Sequence, residues 1–418
     1  MHVAVLGAGV IGITSAWYLA KAGHEVTVID RQPGPGLDTS FANAGEVSPS
    51  YAMPWAAPGI PAKAAKWLFM RHAPLIIRTS EIDFAMMRWL GQMLMNCGSK
   101  RHTINRDRML RLAVYSRREL AAVRAETKIA YDDRQLGTLQ LCGTQRELDA
   151  RAADIALLKS HGLRCELLDR AGCLAIEPGL HASQADFAGG VRTPDDETGD
   201  CYQFTTKLAA LAAKQGVNFV NRRVIRRMVS EGGRISHIET DDGPFSADAY
   251  LAATGSYTPA LVKSLGVVLP IYPVKGYSIT ADIVDESRAP VSTLLDGELK
   301  VALTRLGNRV RVGGLAELTG FSEDRSPRRR ATLELALDRL FPGGSDVANA
   351  SFWSGFRPMT PDSTPIVGAT HISNLFINAG HGTMGWTMAC GSARVVADLI
   401  SGVPTEIRIS DLAVARYR

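Results

Sequence analysis

Gly7, Gly9 and Gly12, followed by a carboxylate at Asp30, are the first residues of this chain whose types and spacing suggest chemistry. They lie in Val3-Ala4-Val5-Leu6-Gly7-Ala8-Gly9-Val10-Ile11-Gly12, an apolar strand running into Gly-x-Gly-x-x-Gly. A helical pattern follows through Trp17, Tyr18 and Leu19, and a second apolar strand, Val26 to Ile29, ends at Asp30. In that context Gly7 allows a tight turn, Gly9 admits a pyrophosphate close to the backbone, and Gly12 lets helix and strand pack closely. The helix N-terminus then faces an anion, and Asp30 accepts from ribose hydroxyls. The strand and turn residues Val3, Leu6, Ala8, Val10 and Ile11 belong to the same expected dinucleotide site, as does Arg31 beside Asp30.

A second constellation lies near the C-terminus. Leu375 to Asn378 reads as a strand, Gly380-His381-Gly382-Thr383-Met384-Gly385 as a glycine-rich loop, and Trp386 to about Ile400 as a helix. It does not repeat the first glycine spacing, so the chain is expected to hold one dinucleotide. The helix start carries about half a positive charge. Aimed at the edge of a ring that becomes anionic on accepting a hydride, as a flavin does, it would stabilise that charge. A turn whose glycines only relieve crowding reads equally well. Upstream, Trp353 to Pro365 is predicted to be a rigid proline-rich loop presenting Arg357, a guanidinium suited to gripping a carboxylate with two hydrogen bonds. The competing reading is a structural arginine paired with a nearby acid such as Asp362.

The 418 residues suffice for two domains. Hydrophobic content of 46% and charged content of 21% describe a folded globular chain. No apolar run reaches the roughly 18 residues of a membrane span, and the fingerprint begins too near Met1 to leave room for a leader peptide. The six cysteines show no metal spacing and are expected to be reduced, buried thiols of a cytoplasmic protein. The net charge of +5 is modest, and the basic runs at 222–227 and 325–330 read as solvated faces rather than a nucleic-acid stripe. Helices are predicted at 104–126, 145–160, around 199–215 and at 328–340. Strands are predicted at 137–141, 217–220, 248–253, 272–281, 299–304 and 309–314, the last two joined by a hairpin at Gly307-Asn308. Parallel signals at both ends with hairpin strands between them imply one domain assembled from separated pieces and a second inserted into it.

Taken together these segments resemble the D-amino acid oxidase/glycine oxidase family of flavoproteins. The resemblance extends over Ala42-Asn43-Ala44-Gly45, Tyr51 to Gly59, Asp196-Glu197-Thr198-Gly199-Asp200-Cys201, Pro273 to Ser278, Gly355-Phe356-Arg357-Pro358 and His381 to Thr387. It implies an α/β fold: a Rossmann-like FAD-binding domain built from 1–60, 197–265 and 350–418, and a mainly antiparallel-sheet substrate domain from 61–196 and 266–349. It implies FAD held by the residues above together with Ser40, Asn43, Ala44, Gly45, Val224, Thr254, Gly255, Gly382, Thr383, Met384, Gly385, Trp386 and Thr387. Arg357 becomes the carboxylate anchor, with Lys275 and Tyr277 as further candidates at the reacting centre. Relatives that attach flavin covalently use a cysteine in a strand that here reads Val301-Ala302-Leu303-Thr304, so the FAD is expected to be non-covalent. The narrowest signatures, around Trp55 and at 196–201, point to the branch that oxidatively deaminates D-amino acids and passes electrons to a respiratory quinone. An imino-acid dehydrogenase, such as one acting on D-hydroxyproline, and an oxygen-using oxidase are the neighbouring alternatives. The aromatic, basic stretch at 54–78 reads either as a contact with the inner face of the cell membrane or, equally, as ordinary core with snorkelling cations, and no nucleic-acid partner is expected.

Overall fold

The computed structural model describes residues 1–67, 70 and 72–417. Strand His2–Leu6, helix Val10–Lys21 and strand Glu25–Ile29 form the expected first unit. They sit inside a six-stranded sheet ordered Ile366–Ala369, Leu375–Ala379, Ala249–Ala252, His2–Leu6, Glu25–Ile29, Asn218–Val220. All neighbours are parallel except the first two. Val3 to Leu6 are fully buried, as a central parallel strand covered on both faces requires. Helix Cys201–Lys214 reaches this sheet from a start capped by Asp200, whose side chain accepts from the Tyr202 and Gln203 amides.

The second sheet has nine strands and is mainly antiparallel. Its order is Ser351–Met359, Tyr272–Asp282, Arg309–Leu318, Val301–Leu306, Thr293–Asp296, Thr138–Cys142, Gly189–Thr193 and Glu166–Asp169, with Leu75–Ile77 also paired to Arg309–Leu318. The hairpin at Gly307-Asn308 is present, with Gly307 at φ +59°. A mixed α/β molecule with a parallel layer and an antiparallel layer is therefore what the sequence led us to expect.

Four details differ. The predicted rigid loop around Arg357 is in its first half the edge strand Ser351–Met359, which pairs with Tyr272–Asp282 so that Arg357 faces Val274 and Pro358 faces Pro273. An edge strand tolerates Pro358 because one side of its ladder is free. This strand belongs to the antiparallel sheet. The helix predicted at 145–160 is split into Gln145–Asp149 and Ala152–Ser160. Helix Ser99–Thr127, expected in the substrate domain, packs instead on helix Gly385–Ile400. Gly391 makes this possible, because a Cβ there would lie 2.7 Å from the Ser116 Cβ. Finally, Arg329 of the run 325–330 is no solvated cation. It is 2% exposed and donates to the Ala73 and Ala316 carbonyls. All six cysteines are buried and unpaired. Among the described residues no helix is long and apolar enough to cross a membrane.

Candidate active site

A single cavity of about 1480 Å³ extends from the turn after the first strand to the edge of the antiparallel sheet, taking lining residues from both sheets. At one end Gly7 has φ +109°, where any side chain is strained, and a Cβ would stand 2.7 Å from the Ala253 carbonyl oxygen. A Cβ on Gly12 would fall 1.8 Å from the Gly7 oxygen, so this glycine lets the helix start directly against the turn. Gly9 differs: its Cβ would meet only Ser40 Oγ at 3.5 Å, which leaves the backbone open to a ligand. Helix Val10–Lys21 has no side-chain hydrogen bond at its N-cap, although Val10 N donates to Ser40 Oγ at 3.0 Å. Asp30 accepts from Ala8 N at 2.6 Å and Gln32 N at 2.7 Å. Burial raises its pKa while those two amides oppose the rise. A carboxylate offers about four lone-pair sites, so capacity for ribose hydroxyls remains. Arg31 lies 4.0 Å over the Tyr257 ring and pairs with Asp38.

The middle of the cavity is lined by Asn43, Ala44 and Gly45, and this loop is pinned from several sides. Ser278 Oγ donates to Ala42 O at 2.7 Å, Arg311 to Asn43 O at 3.3 Å, and Gly199 N to Gly45 O at 2.8 Å. Opposite it, Gly382 to Trp386 line the wall where helix Gly385–Ile400 starts, also without a side-chain cap. Two uncapped helix N-termini thus open into one cavity, and the helices pack against each other through Thr14 and Ala389. Asn378 Oδ1, on the wall between them, is buried without a partner. These features fit a dinucleotide with an electron-accepting ring, and no cysteine lines the cavity among the described residues.

Arg357 closes the far end. Its guanidinium lies on Gly276, where a Cβ would be 2.2 Å from Nη1. It donates to Leu315 O at 2.7 Å and Gly314 O at 3.0 Å. No carboxylate among the described residues pairs with it, and burial alone lowers its pKa to about 10. It is therefore charged at neutral pH and without a counter-charge. Asp362, the acid that offered a structural alternative, pairs with Arg416 instead.

Of the other expected residues, Val10, Ile11, Ser40, Val224, Thr254 and Gly255 line the cavity. Val3, Leu6, Ala8, Gly12 and Thr387 do not: the strand residues are core, Ala8 N holds Asp30, and Thr387 Oγ1 accepts from Ser48 N at 3.1 Å. Tyr277 touches the cavity, but its hydroxyl donates to Glu317 Oε2 at 2.5 Å. Lys275 lies outside the lining, and its ammonium donates to Ser322 O at 2.9 Å and Asp324 O at 2.7 Å. The polar ends of both side chains are thus held by protein partners. His381 lines the cavity, yet Nε2 is bonded to Ser392 Oγ at 3.0 Å and burial lowers its pKa to about 3. It stays neutral. Sequence reasoning missed Glu46, Asn378 and Trp353 in the lining. Glu46 directly follows Asn43-Ala44-Gly45, and that adjacency was the available signal.

Comparison with known proteins agrees with this geometry. Curated proteins named D-amino acid dehydrogenase are 60% identical (Rhizorhabdus wittichii) and 58% identical (Agrobacterium fabrum) over 417 residues, covering all of both chains. Among solved structures, glycine oxidase from Geobacillus kaustophilus superposes with TM-score 0.76 at 23% identity, over 99% of this chain and 98% of the other. L-proline dehydrogenase from P. horikoshii superposes with TM-score 0.77 at 18% identity, over 100% and 97%. These two likenesses concern the fold. The model of the FAD dependent oxidoreductase family matches residues 2–399, and the chain belongs to that family.

Proposed function

We propose that the protein oxidatively deaminates D-amino acids, D-alanine foremost, to 2-oxo acids and ammonia, and delivers the electrons to a respiratory quinone. The observation that carries this reading is Arg357, a cavity-lining guanidinium held by two carbonyls and lacking an acidic partner. A substrate carboxylate supplies the missing charge with two charge-assisted hydrogen bonds. Gly7 to Ile11, Asp30, Ser40, Asn43 to Gly45, Thr254-Gly255 and Gly382 to Trp386 would hold FAD non-covalently, and bound FAD supplies the hydride acceptor. Arg357 fixes one end of the substrate, and the enclosing aromatic wall of Trp353 and Phe356 excludes water. His381 works by packing, since its ring is neutral and bonded within its own segment. The D configuration rests on the names of the relatives at 58–60% identity.

For the membrane contact, helix Phe84–Asn96 adds to the stretch at 54–78, of which Met70 is exposed. Trp55, Leu75 and Ile77 turn inward around Met86 and Trp89, while Leu68, Phe69 and Arg71 lie outside the described residues. Helix Phe84–Asn96 exposes Phe84 (82%), Met87 (55%), Leu94 (56%) and Met95 (60%). Arg88, Lys100 and Arg101 nearby are also exposed. Apolar side chains flanked by cations suit an anionic lipid surface. Met93, on the same helix, lines the cavity, which supports a short path from the lipid side to the reacting centre.

The test is steady-state kinetics of the FAD-loaded protein on D-alanine, L-alanine, D-proline and D-hydroxyproline, with a quinone analogue beside oxygen uptake. Turnover of D-alanine with the quinone and slow oxygen uptake is expected. Preference for the cyclic imino acids, or equal rates with oxygen, would replace the reading with one of its neighbours. Acid precipitation should release all the flavin.

A further inference from the structure

Glu46 is a carboxyl on the wall of the cavity. It lies on the two-residue strand Glu46–Val47, paired with Glu197–Thr198 so that Glu46 faces Thr198. Its Oε1 is buried without a hydrogen-bond partner, and so is Thr198 Oγ1 opposite. The neighbouring Asp196 is handled differently. It accepts from Ser50 Oγ and N, from Thr138 Oγ1 at 2.9 Å and from Thr193 Oγ1 at 2.7 Å. Glu177, another buried acid, accepts from the Val291 and Ser292 amides. Buried polar groups are almost always satisfied, so an orphaned carboxyl oxygen on a cavity wall marks a place for a donor brought by a ligand.

Resting on the deamination reading above, we infer that Glu46 binds the ammonium of the substrate and takes its proton, while Arg357 holds the carboxylate. An amino acid carries a carboxylate and an ammonium, and the cavity offers the Arg357 guanidinium, held only by carbonyls, and the Glu46 carboxyl, whose Oε1 lacks a donor. In the step, an N–H bond of the ammonium breaks and an O–H bond forms on Glu46. The lone pair left on nitrogen is the one that forms C=N when the Cα hydride departs to oxidised FAD. Burial, and after it the charge of Asp196, push the Glu46 pKa up to about 8, which suits a proton acceptor working near neutrality. The other titratable group facing it is Tyr51, whose pKa burial pushes up to about 12. Lys63, Arg151 and Lys300 also line the cavity.

Glu46→Gln keeps size and removes the charge. With D-alanine, kcat/KM at pH 8 should fall about 100-fold, in line with loss of one general base. The wild-type profile should rise with pH through about 8 and fall as the substrate ammonium itself deprotonates. In the variant the first limb should vanish and activity should follow only the free amine of the substrate. Propionate, which has a carboxylate and no amine, should bind the variant as it binds the wild type, and FAD affinity should be unchanged. Glu46→Asp should restore a limb at a shifted pH. A wild-type pH profile in Glu46→Gln would overturn the inference, and so would equal weakening of propionate and D-alanine or loss of FAD. Failure of any D-amino acid to react with the wild type would instead remove the reading on which it rests.

Discussion

Two partly buried arginines, Arg357 and Arg416, are stabilised in opposite ways. Arg416 meets Asp362 with Nε 2.9 Å from Oδ2 and donates to Thr364 O at 2.6 Å, while Tyr417 donates to Asp362 Oδ1 at 2.5 Å. Burial disfavours the charge on Asp362, but Arg416 and the surrounding donors outweigh it and hold the carboxyl below its usual range. Arg357 has carbonyl oxygens and no acid. A buried charge with a complete set of partners holds a fold together, whereas one left unpaired carries a standing cost that only a ligand removes. The difference between the two sites separates structure from function more clearly than burial or residue type.

Breaking each arginine should therefore give opposite results. Arg416→Met strands the Asp362 carboxylate and should cost about 3–5 kcal/mol of stability in urea unfolding. Arg357→Met should leave stability unchanged or raised, and lower kcat/KM for D-alanine by about 1000-fold, the loss of a desolvated charge-assisted pair. Loss of stability in both, or activity retained in the second, would dissolve the contrast.

The glycines sharpen the same distinction at the other end of the cavity. Gly12→Ala places a methyl group 1.8 Å from the Gly7 oxygen and should abolish soluble folding or FAD retention. Gly9→Ala meets only Ser40 Oγ at 3.5 Å, so the variant should fold and weaken FAD about tenfold. His381 offers a smaller effect. Its folded pKa of about 3 lies below the unfolded value of about 6.5, so protons favour the unfolded chain. Its contribution is intact above pH 6.5 and should be lost by about 1.4 kcal/mol per pH unit as pH falls toward 3. Urea midpoints of His381→Gln should be flatter over that window. Smallest of all, Phe84→Ser with Leu94→Ser should leave solution kinetics untouched and reduce sedimentation with anionic vesicles.

Much of the cofactor end was legible in the sequence because its constraints are local. A tight turn, a helix start and a strand-ending acid are written within thirty residues, and Gly7, Gly9 and Asp30 line the cavity as expected. The site around Arg357 was legible as a residue but not as a structure. Its prolines suggested a loop, whereas pairing with Tyr272–Asp282, some 80 residues away, makes it an edge strand. Lys275 and Tyr277 illustrate the same limit. Their types invite chemistry, but Ser322, Asp324 and Glu317 claim them through contacts 40 or more residues distant. Glu46 adjoins Asn43-Ala44-Gly45 in sequence, but what marks it is an oxygen without a donor, which only a folded neighbourhood reveals.

The most direct test of the unpaired guanidinium is the affinity of propionate for the FAD-loaded protein, read from the perturbation of the flavin spectrum. The wild type should bind it, and Arg357→Met should bind at least about 100-fold more weakly with its flavin content intact. Equal affinity in the two proteins would contradict the assignment of Arg357 as the carboxylate anchor.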